Sequence, residues 1–223
     1  MDNFYMLVTF IALPYYWIRS QWLRRYGSDD QIDRELKMYS RHYFGIRGKT
    51  ITPVNRPVDP GTCIYLSNHQ SHNDIFVALG IVETPFRFVA KKELFTSFIT
   101  GSFMKMSRSY PLDREDPRQS LTLLKQALED TTEGHSLLAF PEGTRSHQKE
   151  MVEFKAGMFS VLRKSTVPIV PMYIKNSYKK NTRNYEVFFG EPMLPETFNK
   201  LKGTELSLEV KRRMEMLMHQ AYQ

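Results

Sequence analysis

The chain has 223 residues, of which 41% are hydrophobic and 13% aromatic. That composition excludes a disordered protein and allows one domain with a sizeable core. The formal charge of +7 points to anionic partners, whether nucleic acid, lipid head groups or phosphorylated substrates, without choosing among them. The single cysteine, Cys63, lies in an apolar run, so no disulfide can form within the chain and a cytosol-facing location fits.

Asn3 to Ile18 carries no charged side chain. It falls short of the ~20 apolar residues that span a bilayer, and it contains Pro14. With Asp2 where a basic n-region would stand, and no Ala-x-Ala site, it does not read as a cleaved signal peptide. Tyr15, Tyr16, Trp17 and Trp22 suit a membrane interface, and Arg19, Arg24 and Arg25 suit anionic head groups beside it. The expectation is an uncleaved helical segment that dips into one leaflet, with the body on the cytoplasmic face of a bacterial inner membrane. An ordinary buried helix is the alternative. A second helix is expected from Ser28 to about Phe44, capped by Ser28 or Asp29, with Ile32, Leu36, Tyr39 and Tyr43 on one face. Residues 1–45 thus read as a membrane-associating helical segment and residues 46–223 as the main domain.

Arg47 to Arg56 reads as an edge strand, because Pro53 cannot donate to a ladder. After the turn Asp59-Pro60-Gly61 come a strand at 62–67 and a helix from about Ile75 to Gly80. Phe86 to Ala90 is a short strand, followed by a helical stretch. Asp116-Pro117-Arg118-Gln119 opens a helix with Asp116 as cap, Pro117 at the first position and Gln119 completing a capping box. Leu121, Leu124 and Leu128 form its buried stripe, and Gly134 ends it. Strands at 136–140, 167–174 and 185–189, a helix at 154–164 and an amphipathic tail helix at 208–222 complete the pattern. Alternating strands and helices imply an α/β fold: a single domain with a mixed, largely parallel sheet flanked by helices.

Polar motifs stand at two strand ends. Asn68-His69-Gln70-Ser71-His72-Asn73-Asp74 follows the strand at 62–67. A turn there can fold the Asp74 carboxylate onto one nitrogen of His69, fixing the tautomer and leaving the other nitrogen to accept a substrate proton. A polar loop that merely caps a helix explains the same residues. Phe140-Pro141-Glu142-Gly143-Thr144-Arg145-Ser146 pairs a carboxylate with an arginine across a glycine turn. Arg145 can grip a phosphate, and Glu142 can accept from a hydroxyl. Between them, Tyr110-Pro111-Leu112-Asp113-Arg114 offers a second arginine. Surface ion pairs are the ordinary explanation for either arginine alone.

The order of these motifs resembles the glycerophospholipid acyltransferase family. Asn68 to Asp74 matches its Asn-His-x-Ser-x-x-Asp motif, Gly101 to Arg114 loosely matches the second, and 140–146 and 167–171 match the third and fourth in full. Phe88 to Leu94 is a similar lead-in. The likeness runs from about residue 47 to 192. It departs at His72, where the family usually has a bulky apolar or aromatic residue, so the role of His72 stays open. The resemblance implies that His69 is a general base oriented by Asp74. It implies direct attack of the sn-2 hydroxyl of 1-acyl-glycerol-3-phosphate on the thioester of acyl-CoA or acyl-ACP, without an acyl-enzyme, giving phosphatidic acid. Arg114 and Arg145 would hold the phosphate and Glu142, beside Thr144, the glycerol part; Lys91 and the Gly143 amide would face the oxyanion. The acyl chain would need an apolar groove, to which some Phe and Met residues could contribute. No cofactor, no metal and no nucleic acid is expected; an anionic membrane surface is. Three rivals remain: an acyltransferase with another acceptor, glycerol-3-phosphate or a lysophospholipid; a metal-dependent phosphoesterase using His69, His72 and Asp74; and a non-catalytic lipid-binding protein.

Overall fold

A computed structural model describes the backbone of residues 2–58, 60–97, 100–113 and 115–223, with side chains from residue 14 onward. Helix α1 (Asp2–Tyr26) runs through Pro14 and is followed, after Gly27 and Ser28, by α2 (Asp29–Gly45). Ser28 caps α2: its hydroxyl accepts from the Gln31 N–H at 3.3 Å while the Gln31 side chain accepts from the Ser28 N–H at 3.0 Å. The chain then alternates: β1 (Thr50–Val54), β2 (Ile64–Ser67), α3 (Asp74–Ile81), β3 (Phe86–Lys91), α4 (Glu93–Thr96), α5 (Gly101–Met106), β4 (Tyr110–Leu112), α6 (Pro117–Thr132), β5 (Ser136–Ala139), α7 (Ala156–Leu162), β6 (Ile169–Ile174), β7 (Asn184–Phe189), α8 (Pro195–Phe198) and α9 (Gly203–Ala221).

The strands form one sheet in the order β1-β7-β6-β2-β5-β3-β4. Every neighbouring pair is parallel except β6 with β7. β1, with Pro53, is indeed an edge. β2 lies between β6 and β5 and is buried on both faces. Its side chains alternate: Tyr65 joins a core with Leu36, Tyr39 and Val77 of α2 and α3, and Ile64 and Leu66 join a second core with Ala127, Phe159, Val210 and Met214 of α6, α7 and α9. The result is a three-layer α/β/α domain. Because β2, β5 and β3 are mutually aligned, the loops after β2 and β5 and the Lys91 end of β3 emerge at the same carboxyl-terminal edge, where open α/β sheets receive ligands.

Two details of α6 differ from expectation. Asp116 does cap it, accepting from the Arg118 and Gln119 amides at 3.0 Å. The Gln119 side chain does not close the box, however; it reaches past the cap to accept from the Asp113 N–H at 3.1 Å, tying the helix to the β4 loop. The buried stripe is Leu124, Ala127 and Thr131, with Leu121 outside it at 38% exposure. A helix packed against a sheet by its i, i+3, i+7 face buries whatever residues fall there, small and polar ones included. Helix α8, begun by Pro195, was not anticipated. Cys63 is fully buried and burial pushes its thiol up to about 11, which makes it a core residue rather than a nucleophile.

Candidate active site

β2 ends at Ser67 and the chain turns across residues 68–73 into α3, whose first residue is Asp74. Asn68 fixes the start of the turn: its side chain accepts from the Ile174 N–H at 2.7 Å and donates to the Ile174 carbonyl at 3.1 Å, extending β6 where β2 has stopped. Asp74 fixes the end. Its Oδ2 accepts from the Gln70 and Ser71 amides at 2.7 and 2.9 Å, and its Oδ1 from the Ser71 hydroxyl at 3.1 Å. At the N-terminus of a helix a carboxylate is also favoured by the helix dipole. The same Oδ2 meets His69 Nδ1 at 2.9 Å. An oxygen that already accepts from two amides is an acceptor here as well, so the imidazole carries a hydrogen on Nδ1, and in the neutral ring the lone pair is on Nε2. Asp74 is fully buried, whereas the His69 side chain keeps 16% of its surface.

The loop after β5 holds the histidine from the other side. Phe140 stacks on the imidazole with ring centroids 4.1 Å apart and 20° between planes. Glu142 Oε1 accepts from the His69 N–H at 2.6 Å, and the Ser146 N–H donates to the His69 carbonyl at 2.8 Å. Both backbone polar groups of His69 are thereby bound to the 140–146 segment. Further out, Asn73 accepts from the Tyr43 hydroxyl at 2.8 Å and donates to that of Tyr185 at 2.9 Å, linking the turn to α2 and β7. Gln70, also fully buried, donates to the Lys149 carbonyl at 2.8 Å. The imidazole is held by side-chain, backbone and ring contacts at once, the kind of support that keeps a reacting group in one orientation.

The profile of the Acyltransferase family matches residues 48–175, over half of the chain and including both loops. The chain belongs to this family. It is 37% identical over 125 residues to a chloroplastic 1-acyl-sn-glycerol-3-phosphate acyltransferase of Brassica napus, a match that covers 56% of this chain and 36% of that protein. It is 36% identical to the Saccharomyces cerevisiae enzyme of the same name over 56% of this chain and 42% of that one. The matched region thus spans well under half the length of these relatives. With the probable 1-acyl-sn-glycerol-3-phosphate acyltransferase of Mycoplasma pneumoniae it shares 30% identity over 75% of this chain and 70% of that one. In fold it is similar to the crystal structure of the 1-acyl-sn-glycerophosphate acyltransferase PlsC from Thermotoga maritima, with a TM-score of 0.78, 22% identity and coverage of 99% and 95% of the two chains.

Of the site residues anticipated in the sequence, His69, Asp74, Glu142 and Arg145 are brought together, some in different parts from those expected. Glu142, anticipated as a contact for the acceptor, is fully buried and spends Oε1 on the His69 amide and Oε2 on the Val152 amide at 2.9 Å. Burial pushes its carboxyl up to about 7 against the pull of these two donors. The Gly143 N–H, anticipated at the oxyanion, donates to the Phe140 carbonyl at 3.0 Å. Gly143 instead supplies a backbone φ of +65°, which costs glycine little, and leaves space that Lys155 fills: a Cβ there would lie 3.1 Å from Lys155 Cγ. Thr144 is exposed beside it. Lys91 stands at the end of β3, half exposed and paired with Glu93 at 3.2 Å. Arg114 lies outside the described residues. Arg145 directs its guanidinium onto His72.

Asn68, Phe140 and Ser146 carried no individual role in the sequence, and Tyr43 was expected only on the apolar face of α2. Only Phe140 left a usable signal, an aromatic at the last position before a polar turn. Many phenylalanines considered for an acyl groove, Phe44, Phe86, Phe88, Phe159 and Phe198 among them, are in the cores. Among the described residues no three His, Cys, Asp or Glu side chains are grouped to hold a metal ion, and the Asp74 oxygens already serve His69, Gln70 and Ser71.

Proposed function

We propose that the protein transfers a fatty acyl group from a thioester donor, acyl-CoA or acyl-ACP, to the sn-2 hydroxyl of 1-acyl-glycerol-3-phosphate, forming phosphatidic acid. The observation that carries this reading is the 2.9 Å contact between His69 Nδ1 and Asp74 Oδ2, which leaves Nε2 free to act as a base. His69 Nε2 takes the hydroxyl proton as the oxygen attacks the thioester carbonyl. Asp74 stabilises the imidazolium, and the departing thiolate recovers the proton. A positioned base accounts for about 10²–10⁴-fold; orientation of the two substrates and stabilisation of the tetrahedral oxyanion supply the remainder. Arg145 adjoins Ser146, whose amide is bonded to His69, so a phosphate on its guanidinium would lie close to the base. Arg114 is the second phosphate ligand in this reading, and Lys91 remains the candidate for the oxyanion. Glu142 acts through His69 by fixing its backbone. The reaction needs neither metal nor cofactor. The names of the relatives support the acceptor, and thiol release measured against a panel of lysolipid acceptors and acyl donors tests it: greatest turnover with a non-phosphorylated acceptor would sink it.

In this reading residues 1–45 lie at the cytoplasmic membrane surface while packing into the core of residues 46–223 through Leu23, Leu36 and Tyr39. Among the described residues no helix is long and apolar enough to cross a bilayer. Tyr15, Trp17, Ile18, Trp22 and Tyr26 are nonetheless exposed on α1, with Arg19 over the Trp22 ring and Arg25 over that of Tyr26. Aromatic rings with arginines beside them suit an interfacial helix.

A further inference from the structure

His72 stands three residues after the base, on the exposed side of the same turn. Nη1 of Arg145 is within hydrogen-bonding reach of its ring nitrogens. A guanidinium can only donate, and in a neutral ring one of the two nitrogens is an unprotonated acceptor for it. A protonated imidazole would present a donor and a positive charge to a cation that never loses its own. The charged and titratable groups facing His72 are Arg145 and His147 from the loop after β5 and His69 and Asp74 from its own loop. Of these only Asp74 favours the protonated ring, and its oxygens are occupied by His69, Gln70 and Ser71. Burial, with Arg145 and the two histidines, holds His72 below the ordinary imidazole value.

We propose that His72 is a positioning residue: its neutral ring aims the Arg145 guanidinium at the phosphoryl group of the acceptor, and its protonation releases that guanidinium, so that phosphorylated acceptors bind more weakly on the acid side. The inference rests on the reading of Arg145 as a phosphate ligand. A titratable residue at this position makes acceptor affinity depend on pH independently of the base.

KM and kcat for 1-acyl-glycerol-3-phosphate, followed from about pH 5 to about pH 8 in the wild type and in His72→Phe and His72→Gln, separate these effects. His72→Phe, which cannot accept, is expected to raise KM on the order of fivefold or more near neutrality with kcat within about twofold. His72→Gln, an acceptor that does not titrate, is expected to restore most of the affinity and to lack the acid-side rise of KM seen in the wild type. Titration of the substrate phosphate is common to both proteins and cancels. An unchanged KM in His72→Phe, or one pH profile shared by His72→Gln and the wild type, would overturn the proposal. If no phosphorylated acceptor is used at all, the proposed function fails instead. The His72 imidazole can then still be titrated by NMR: it is expected to titrate higher in Arg145→Gln than in the wild type, and equal midpoints would refute the contact itself.

Discussion

At the residue scale, the support around His69 is organised by two buried carboxylates with opposite tasks. Asp74 gathers the turn's amides and orients the ring, while Glu142 grips the histidine's own N–H. Glu142 has a consequence for stability. Its carboxyl is raised to about 7 from an ordinary value near 4.5. Between those values the folded chain retains a proton that the unfolded chain has released. The stabilisation from this group is therefore complete below about pH 4.5 and is lost as pH rises through about 7. Glu142→Gln cannot titrate and is expected to flatten that part of the curve of melting temperature against pH; a slope equal to that of the wild type would place the titration elsewhere. The same variant sets an amide NH₂ against the His69 or the Val152 N–H, so kcat is expected to fall about tenfold or more through loss of the ring's placement. The carboxylate's part was not legible in the sequence, because its partners are 73 and 10 residues away. A motif glutamate reads as a substrate ligand until the pairing of β2 with β5 places the His69 amide beside it.

At the scale of elements, the junctions carry the design. Asp116 satisfies two amides at the start of α6, and Asp116→Ala is expected to cost about 1 kcal/mol in chemical denaturation. Gly143→Ala meets both a positive φ and the stem of Lys155 and is expected to cost on the order of 1 kcal/mol or more. It should also lower kcat, since the turn it distorts holds Phe140 and Glu142 against His69; a variant as stable and as active as the wild type would remove the glycine from the argument. The strands and longer helices were legible because their signals are local: the Ser28 cap, the apolar runs at 64–67 and 169–174, the Asp116-Pro117 start. Sheet order was not, nor was the stripe of α6, where Ala127 and Thr131 are buried in place of Leu121. A leucine triplet at helical spacing does not say which way the helix is rolled on its sheet. His69 and Asp74 were legible as a pair, whereas the uses of the Gly143 amide and of Gln119 depend on which carbonyl or amide a turn happens to bring near.

At the scale of the molecule, α1 has two sides. Leu23 is fully buried in the core shared with α2 and α3, and Ser20 bonds to Ser102 of α5, while Trp17, Ile18 and Trp22 face outward. Removing the whole helix would expose core, so substitution is the cleaner test of membrane attachment. Trp17→Ser, Ile18→Ser and Trp22→Ser together are expected to leave the melting temperature within a few degrees and to lower partition onto anionic vesicles at least about a hundredfold, given roughly 1.5–3 kcal/mol for each large apolar side chain buried. Unchanged sedimentation with vesicles would move the attachment to another surface, the basic 175–183 segment foremost. The domain as a whole serves to bring the β2 and β5 loops together on one edge of the sheet, and the deciding measurement is made on the residue they enclose. Thiol release from an acyl thioester with 1-acyl-glycerol-3-phosphate should fall at least about a hundredfold in His69→Ala while the thermal transition stays that of a folded protein; a folded variant that keeps more than about a tenth of the wild-type rate would contradict proton abstraction by this imidazole.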